Sequence, residues 1–340
     1  MIRGPGLRAV PSGTKAARAR RLIGLFKGWK MGANKNLRIG DRLWDRRTVL
    51  RGASMLPILG LAGRASAAAA HDRFSLRVVQ SGHSLTDPIV PMLNAILAAE
   101  GVPTSRPQRV ERSTIPGSPM EWRWSNRIEP GPDARHDIAD YDVLVLTERV
   151  SLANTMPWHD SLNMALRWFE NSWSRGNGGK GAQTVLYASW VEVDSGPGNA
   201  NPHKDPEAHI PFRARLPLEM ERWQSIADHV NAHRPDGSPS MRVIPGPLVM
   251  AAAHDAIAAG KAPGISAIEE LFEDNIHVND AGAYLIALAH FGVLYDVDPR
   301  TLTGGTGGMG TRDPATAGWM RQLVHEVLLA YPDARYTGRA

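Results

Sequence analysis

Two segments far apart in this 340-residue chain carry residue types that together make an activated nucleophile. Ser84 lies in Ser81-Gly82-His83-Ser84-Leu85-Thr86-Asp87, directly after an apolar run. Far downstream, Asp274 stands three residues before His277 in Leu271-Phe272-Glu273-Asp274-Asn275-Ile276-His277-Val278. A serine hydroxyl attacks poorly until a base takes its proton. The Asp-x-x-His spacing can set the Asp274 carboxylate on one ring nitrogen of His277, leaving the other to face Ser84. Each segment alone has a plainer reading. A serine after a strand often caps a helix, and Asp-x-x-His is common in surface turns. Read together, with the element order below, they point to acyl transfer through a covalent acyl-serine. The chain holds no cysteine, which excludes cysteine nucleophiles, thiolate zinc sites and iron–sulfur centres.

These residues need a scaffold that brings distant segments to one edge. Short β-rich runs alternate with longer helical patterns, the signature of a parallel sheet covered by helices. Strands are expected at Phe74–Gln80, Gln108–Glu111, Tyr141–Leu146, Thr184–Tyr187 and Met241–Ile244. Helices are expected at Pro88–Glu100, Asp160–Trp173, Leu216–His233, Pro247–Ala259, Asn279–Tyr295 and Ala315–Tyr331. Ser84 is expected at the start of the first helix, where free N–H groups and the helix dipole favour negative charge. Open parallel sheets place their active crevice beyond the carboxyl ends of the strands. Residues 71–340 read as one α/β domain, with residues 194–211 and 301–311 as irregular connectors.

The first seventy residues differ in kind. They carry eleven Arg, four Lys and two Asp, so +13 sits there and −8 on the rest of a chain whose formal net charge is +5. The basic balance belongs to this leader, and no nucleic-acid partner is expected of the domain. Arg46-Arg47, an apolar run from Ala53 to Gly63 and an alanine-rich segment from Ala65 to Ala70 follow in the order of an export signal. The pattern resembles a twin-arginine signal read by the corresponding export machinery, with Val49 where that motif prefers Phe. The apolar run is too short to span a bilayer. The expected location is therefore periplasmic or secreted, with no lasting membrane insertion after signal removal.

The Gly-His-Ser-Leu segment at Ser84 and the Asp-x-x-His segment at Asp274 and His277 resemble the first and last motifs of the SGNH or GDSL hydrolases. Asn279-Asp280-Ala281-Gly282 and Leu294-Tyr295-Asp296-Val297-Asp298-Pro299 are also similar to that family's ending. The resemblance spans roughly Phe74 to Pro299. It implies a flavodoxin-like three-layer α/β/α fold with about five parallel strands, Ser84 as nucleophile, and a serine esterase needing neither metal nor organic cofactor. It also implies oxyanion donors from the backbone of Ser84 and of Gly117, in Ile115-Pro116-Gly117-Ser118-Pro119. The family usually has an Asn after the third strand, whose amide completes the hole. Here Thr147-Glu148-Arg149 follows, and an ionised carboxylate cannot donate. Either Glu148 turns away, or Asn154 supplies the amide, or the hole has two donors.

Trp122, Trp124, Trp158 and Trp190 lie in or beside post-strand segments, where they could stack on sugar rings or fill the core. Neighbouring Glu121, Arg123 and Arg127 could contact polar groups or be solvated. His203 and His209 flank Asp205 and Glu207 in a spacing that fits no standard metal site, so a polar loop is expected. The expected substrate is a small-molecule or carbohydrate ester, with acetyl as the acyl group. Two rivals are acyl transfer to a polysaccharide hydroxyl by the same triad, and glycan binding without catalysis.

Overall fold

The computed structural model describes residues 74–102, 110–304 and 313–339; the expected leader and its export signal, Met1–Ala70, lie outside them. Five parallel strands form one sheet: β1 (Val78–Gly82), β2 (Val110–Thr114), β3 (Val143–Leu146), β4 (Gln183–Ala188) and β5 (Arg242–Pro245), in the order β2-β1-β3-β4-β5. β1 and β3 are buried at every position, as strands covered on both faces must be.

The helices are α1 (Ile89–Ala99), α2 (Met120–Ser125), α3 (Leu152–Thr155), α4 (Ser161–Gly179), α5 (Phe212–His233), α6 (Gly246–Ala258), α7 (Asp280–Tyr295) and α8 (Pro314–Ala330). α7 packs against α1 and α8, and α4 against α2 and α5. α7 is buried from Gly282 to Tyr295 on all sides, consistent with its all-round apolar sequence. None of the described helices is long and apolar enough to cross a membrane.

Strand limits shift from expectation for a pairing reason. The apolar run begins at Phe74, but ladder partners for β1 begin at Val78, opposite Val110 and Val143, and pairing continues through Ser81 and Gly82. A strand exists only where a neighbour supplies hydrogen bonds, so β1 starts and ends later than composition suggests. Gly82 closes it for a steric reason. A Cβ there would sit 2.0 Å from Thr86 Oγ1 and 3.2 Å from Thr147 Cγ2. The glycine lets the turn carrying Ser84 fold back onto the sheet.

Candidate active site

Ser84 does not begin a helix. It sits in a run of turns held by Thr86 N–H donating to the His83 carbonyl at 2.8 Å and Ile89 N–H to the Thr86 carbonyl at 3.1 Å, and α1 starts only at Ile89. The expected help from a helix N-terminus at Ser84 is therefore not how this turn is built. The side chain before it is fixed instead. His83 is buried, its Nε2 lies 2.9 Å from the Glu148 carbonyl, and its Nδ1 faces the Leu85 N–H at 3.4 Å. Nε2–H as donor and Nδ1 as acceptor satisfy both contacts, so His83 is a neutral strut rather than a second base.

The structure brings Ser84, His277 and Asp274 into one chain of hydrogen bonds. Ser84 Oγ lies 2.9 Å from His277 Nε2, and His277 Nδ1 lies 2.7 Å from Asp274 Oδ2. The other Asp274 oxygen accepts the N–H groups of His277 and Ile276 at 2.7 and 2.8 Å. Desolvation raises the Asp274 carboxyl, but these backbone donors and the His277 ring outweigh it and hold the group below its ordinary value. An ionised Asp274 keeps the proton of His277 on Nδ1, so Nε2 is free to accept from Ser84. The His277 loop is anchored from behind. Trp190 Nε1–H donates to the Ile276 carbonyl at 2.8 Å, and Val193 N–H donates to the Asn275 carbonyl at 2.7 Å.

Ser84 and His277 open onto a cleft of about 350 Å³ walled also by Gly117, Arg149, Asn154, Glu192 and His203. Gly117 has φ +67, and a Cβ there would meet nothing within 4 Å. Its glycine is required by backbone conformation rather than crowding. Among the described residues, neither the Ser84 N–H nor the Gly117 N–H has an acceptor. Asn154 also faces the cleft, but its amide nitrogen donates to the His203 carbonyl at 2.9 Å, tying α3 to the loop that follows β4.

Of the three expectations for Glu148, the first describes its position. The side chain is fully buried and turned from the cleft, with Oε1 accepting the N–H groups of Met120 and Arg149 at 2.8 Å each. Beside it lies Arg123, also fully buried, which corrects the expectation that this arginine is solvated or meets substrate. Its guanidinium donates to Ser81 Oγ at 3.1 Å and to the Ser118 and Thr147 carbonyls. Burial lowers the Arg123 pKa to about 10, with the nearby Glu148 charge working the other way, so it stays cationic at neutral pH.

The four tryptophans divide. Trp190 is fully buried, and Trp124 is 9% exposed, packed edge-on against Trp168 with the guanidinium groups of Arg135 and Arg167 each 4.5 Å from its ring. Both belong to the core, which corrects the sugar-stacking expectation for them. Trp122 and Trp158 are 45% and 80% exposed, yet neither lines the cleft. In the loop after β4, Asp205 accepts from Arg215 and from Ser151 Oγ, and Glu207 accepts from Arg222. No group among the described residues could hold a metal ion. Sequence reasoning passed over Arg149 and Glu192, although both stand within four residues of a strand end and the rule that found Ser84 applies to them equally.

Buried histidines set a measurable acid limit on the fold. Burial, with Arg123 adding to it, pushes His83 down to about 3, and burial pushes His290 down to about 4. Both take up a proton in the unfolded chain below pH ~6.5 and stay neutral in the fold. Glu219, raised to about 7 by burial, acts in the opposite sense, since it ionises on unfolding. For these three groups two protons taken up less one released leaves about one, so together they should lower stability by roughly 1.4 kcal/mol per pH unit as pH falls from ~6.5 to ~4.5. In urea unfolding across that range, His290→Gln should reduce the slope by about one proton's worth relative to the parent protein. An unchanged slope in the variant would remove His290 from the account.

No family model matches the chain, and no curated protein matches it. Among solved structures, it is similar to a DUF4886 family protein from Bacteroides uniformis, with 14% identity and a TM-score of 0.54 over 76% of this chain and 96% of that one. It is also similar to a protein from Slackia heliotrinireducens that carries the provisional description of an SGNH hydrolase, with 20% identity and a TM-score of 0.40 over 63% of this chain and 96% of that one. The first of these likenesses speaks to the α/β fold alone.

Proposed function

We propose that this chain is a serine esterase of the SGNH type, removing a small acyl group, acetyl foremost, from a hydroxyl compound such as a carbohydrate. One observation carries the reading: the Ser84–His277–Asp274 chain of 2.9 and 2.7 Å contacts at the carboxyl edge of a parallel sheet. A capping serine has no need of a histidine 193 residues away, nor that histidine of an orienting acid.

Ser84 Oγ attacks the ester carbonyl as His277 Nε2 takes its proton, and Asp274 stabilises the imidazolium that forms. The Ser84 and Gly117 N–H groups, unpartnered among the described residues, are the donors offered to the oxyanion. His277 then protonates the departing alkoxide. Water, deprotonated by the same ring, attacks the acyl-serine and returns the enzyme. The inward turn of Glu148 takes its carboxylate away from the cleft, which supports the catalytic reading over glycan binding without catalysis. The leader's order supports export before function in the periplasm or outside the cell.

The test is covalent. A fluorophosphonate should add once, to the peptide containing Ser84, and should abolish release of 4-nitrophenol from 4-nitrophenyl acetate in proportion to labelling. Labelling elsewhere, or turnover that survives full labelling of Ser84, would sink the assignment.

A further inference from the structure

The cleft wall carries four charged side chains besides its histidines: Arg149, Glu192, Asp205 and Asp274. Two are spoken for. Asp274 is held by His277, and Asp205 by Arg215 and Ser151. Arg149 and Glu192 differ, because neither side chain has a hydrogen-bond or ion-pair partner among the described residues. The contrast among arginines is sharp. Arg123, Arg215 and Arg222 all have oxygen acceptors, and Arg149 alone of these faces the cleft.

Arg149 is also close to the chemistry by register. Ser81 of β1 pairs with Leu146 of β3, the Thr147 N–H reaches the Ser81 carbonyl at 3.2 Å, and the His83 ring reaches the Glu148 carbonyl. Beyond these contacts both chains leave the sheet, and Ser84 and Arg149 line the same cleft. Glu192 leaves the end of β4, the next strand along. Burial and the nearby Asp194 raise its carboxyl pKa, and the residue lines the cleft. A guanidinium with five donors and no acceptor is complementary to a carboxylate. A lone carboxyl group is complementary to hydroxyls.

We propose that the cleft selects esters of a carboxylate-bearing polyol, an acidic sugar by chemical class, with its carboxylate on Arg149 and its hydroxyls toward Glu192. The proposal rests on the esterase reading and narrows it. Among the described residues no Phe, Tyr or Trp lines the wall, which agrees with recognition by charge and hydrogen bonds instead of stacking.

Two measurements on the full protein and its Arg149→Met variant decide it. The first compares kcat/KM for 4-acetoxybenzoate with that for its neutral methyl ester. Wild type should favour the charged ester by on the order of 10- to 100-fold, the worth of a charge-assisted hydrogen bond, and Arg149→Met should bring the ratio near one. The second is calorimetric binding of glucuronate against glucose, which needs no turnover. Glucuronate should bind more tightly, by a margin that disappears in Arg149→Met. Turnover of both esters without preference, and without Arg149-dependent glucuronate binding, would overturn the recognition and leave the esterase intact. Arg149-dependent binding with no turnover of either ester would do the reverse. Neither turnover nor binding would end both.

Discussion

Ser84→Ala and His277→Ala should each lower kcat on 4-nitrophenyl acetate by about 10⁴-fold or more, and the double variant should lose little beyond either single one. The physical reason is that the two side chains act as one unit. Without His277, the Ser84 hydroxyl keeps its proton; without Ser84, the base has nothing to activate, and truncations of such a pair are strongly non-additive. Residual rate would come from the Ser84 and Gly117 N–H groups acting on water attack. Asp274→Asn should cost less, on the order of 10²- to 10⁴-fold. Its Oδ1 can still accept the Ile276 and His277 N–H groups, but an amide facing Nδ1 favours the wrong tautomer. Asp274 is also half exposed, so solvent shares in stabilising the imidazolium. Steady-state kinetics of the four variants decide the matter. Independent, multiplicative losses for Ser84 and His277 would mean they do not act together.

Glu148→Ala should destabilise the domain by about 3–5 kcal/mol, lowering Tm by roughly 6–20 °C. The change leaves the Met120 and Arg149 N–H groups without their acceptor and removes the carboxylate beside the buried Arg123. The damage should extend to activity in whatever protein remains folded. Glu148 holds the start of α2, three residues from Gly117, through its carboxylate and holds the His83 ring through its carbonyl. The turn bearing Ser84 and the loop bearing the second oxyanion donor therefore share one support. Glu148→Gln keeps an acceptor oxygen and should recover much of the lost stability. Thermal unfolding of the two variants, with kcat measured well below Tm, checks the argument. A loss under 1 kcal/mol for Glu148→Ala would show that Arg123 and the loop are held by other contacts.

The alternation of short apolar runs and amphipathic helices in the sequence was enough to indicate a parallel sheet, and every expected strand and helix has a counterpart. What moved were the ends. Helix α5 starts at Phe212 rather than Leu216, so Pro217 lies a turn inside it, and β1 is set by where its partners begin. Such limits depend on neighbours distant in sequence, which local pattern does not record.

The chemistry divides in the same way. Asp274 and His277 are three residues apart, and a tight turn suffices to join them, so their partnership was legible as spacing. Ser84 was legible as a serine after the first strand, and strand order carries it to the same sheet edge. Only the tertiary structure decided which post-strand side chains face the cleft. Glu148 and Arg149 are adjacent and both charged, yet one turns in to hold Met120 and the other faces out. Trp190 and Trp124 follow strands as an aromatic wall would, but they are in the core because long-range packing supplies a carbonyl for one indole and two guanidinium groups for the other. At the end of a strand, a side chain's direction is set by register with the neighbouring strand and by the helices packed above it. Both are properties of the assembled sheet rather than of any one segment.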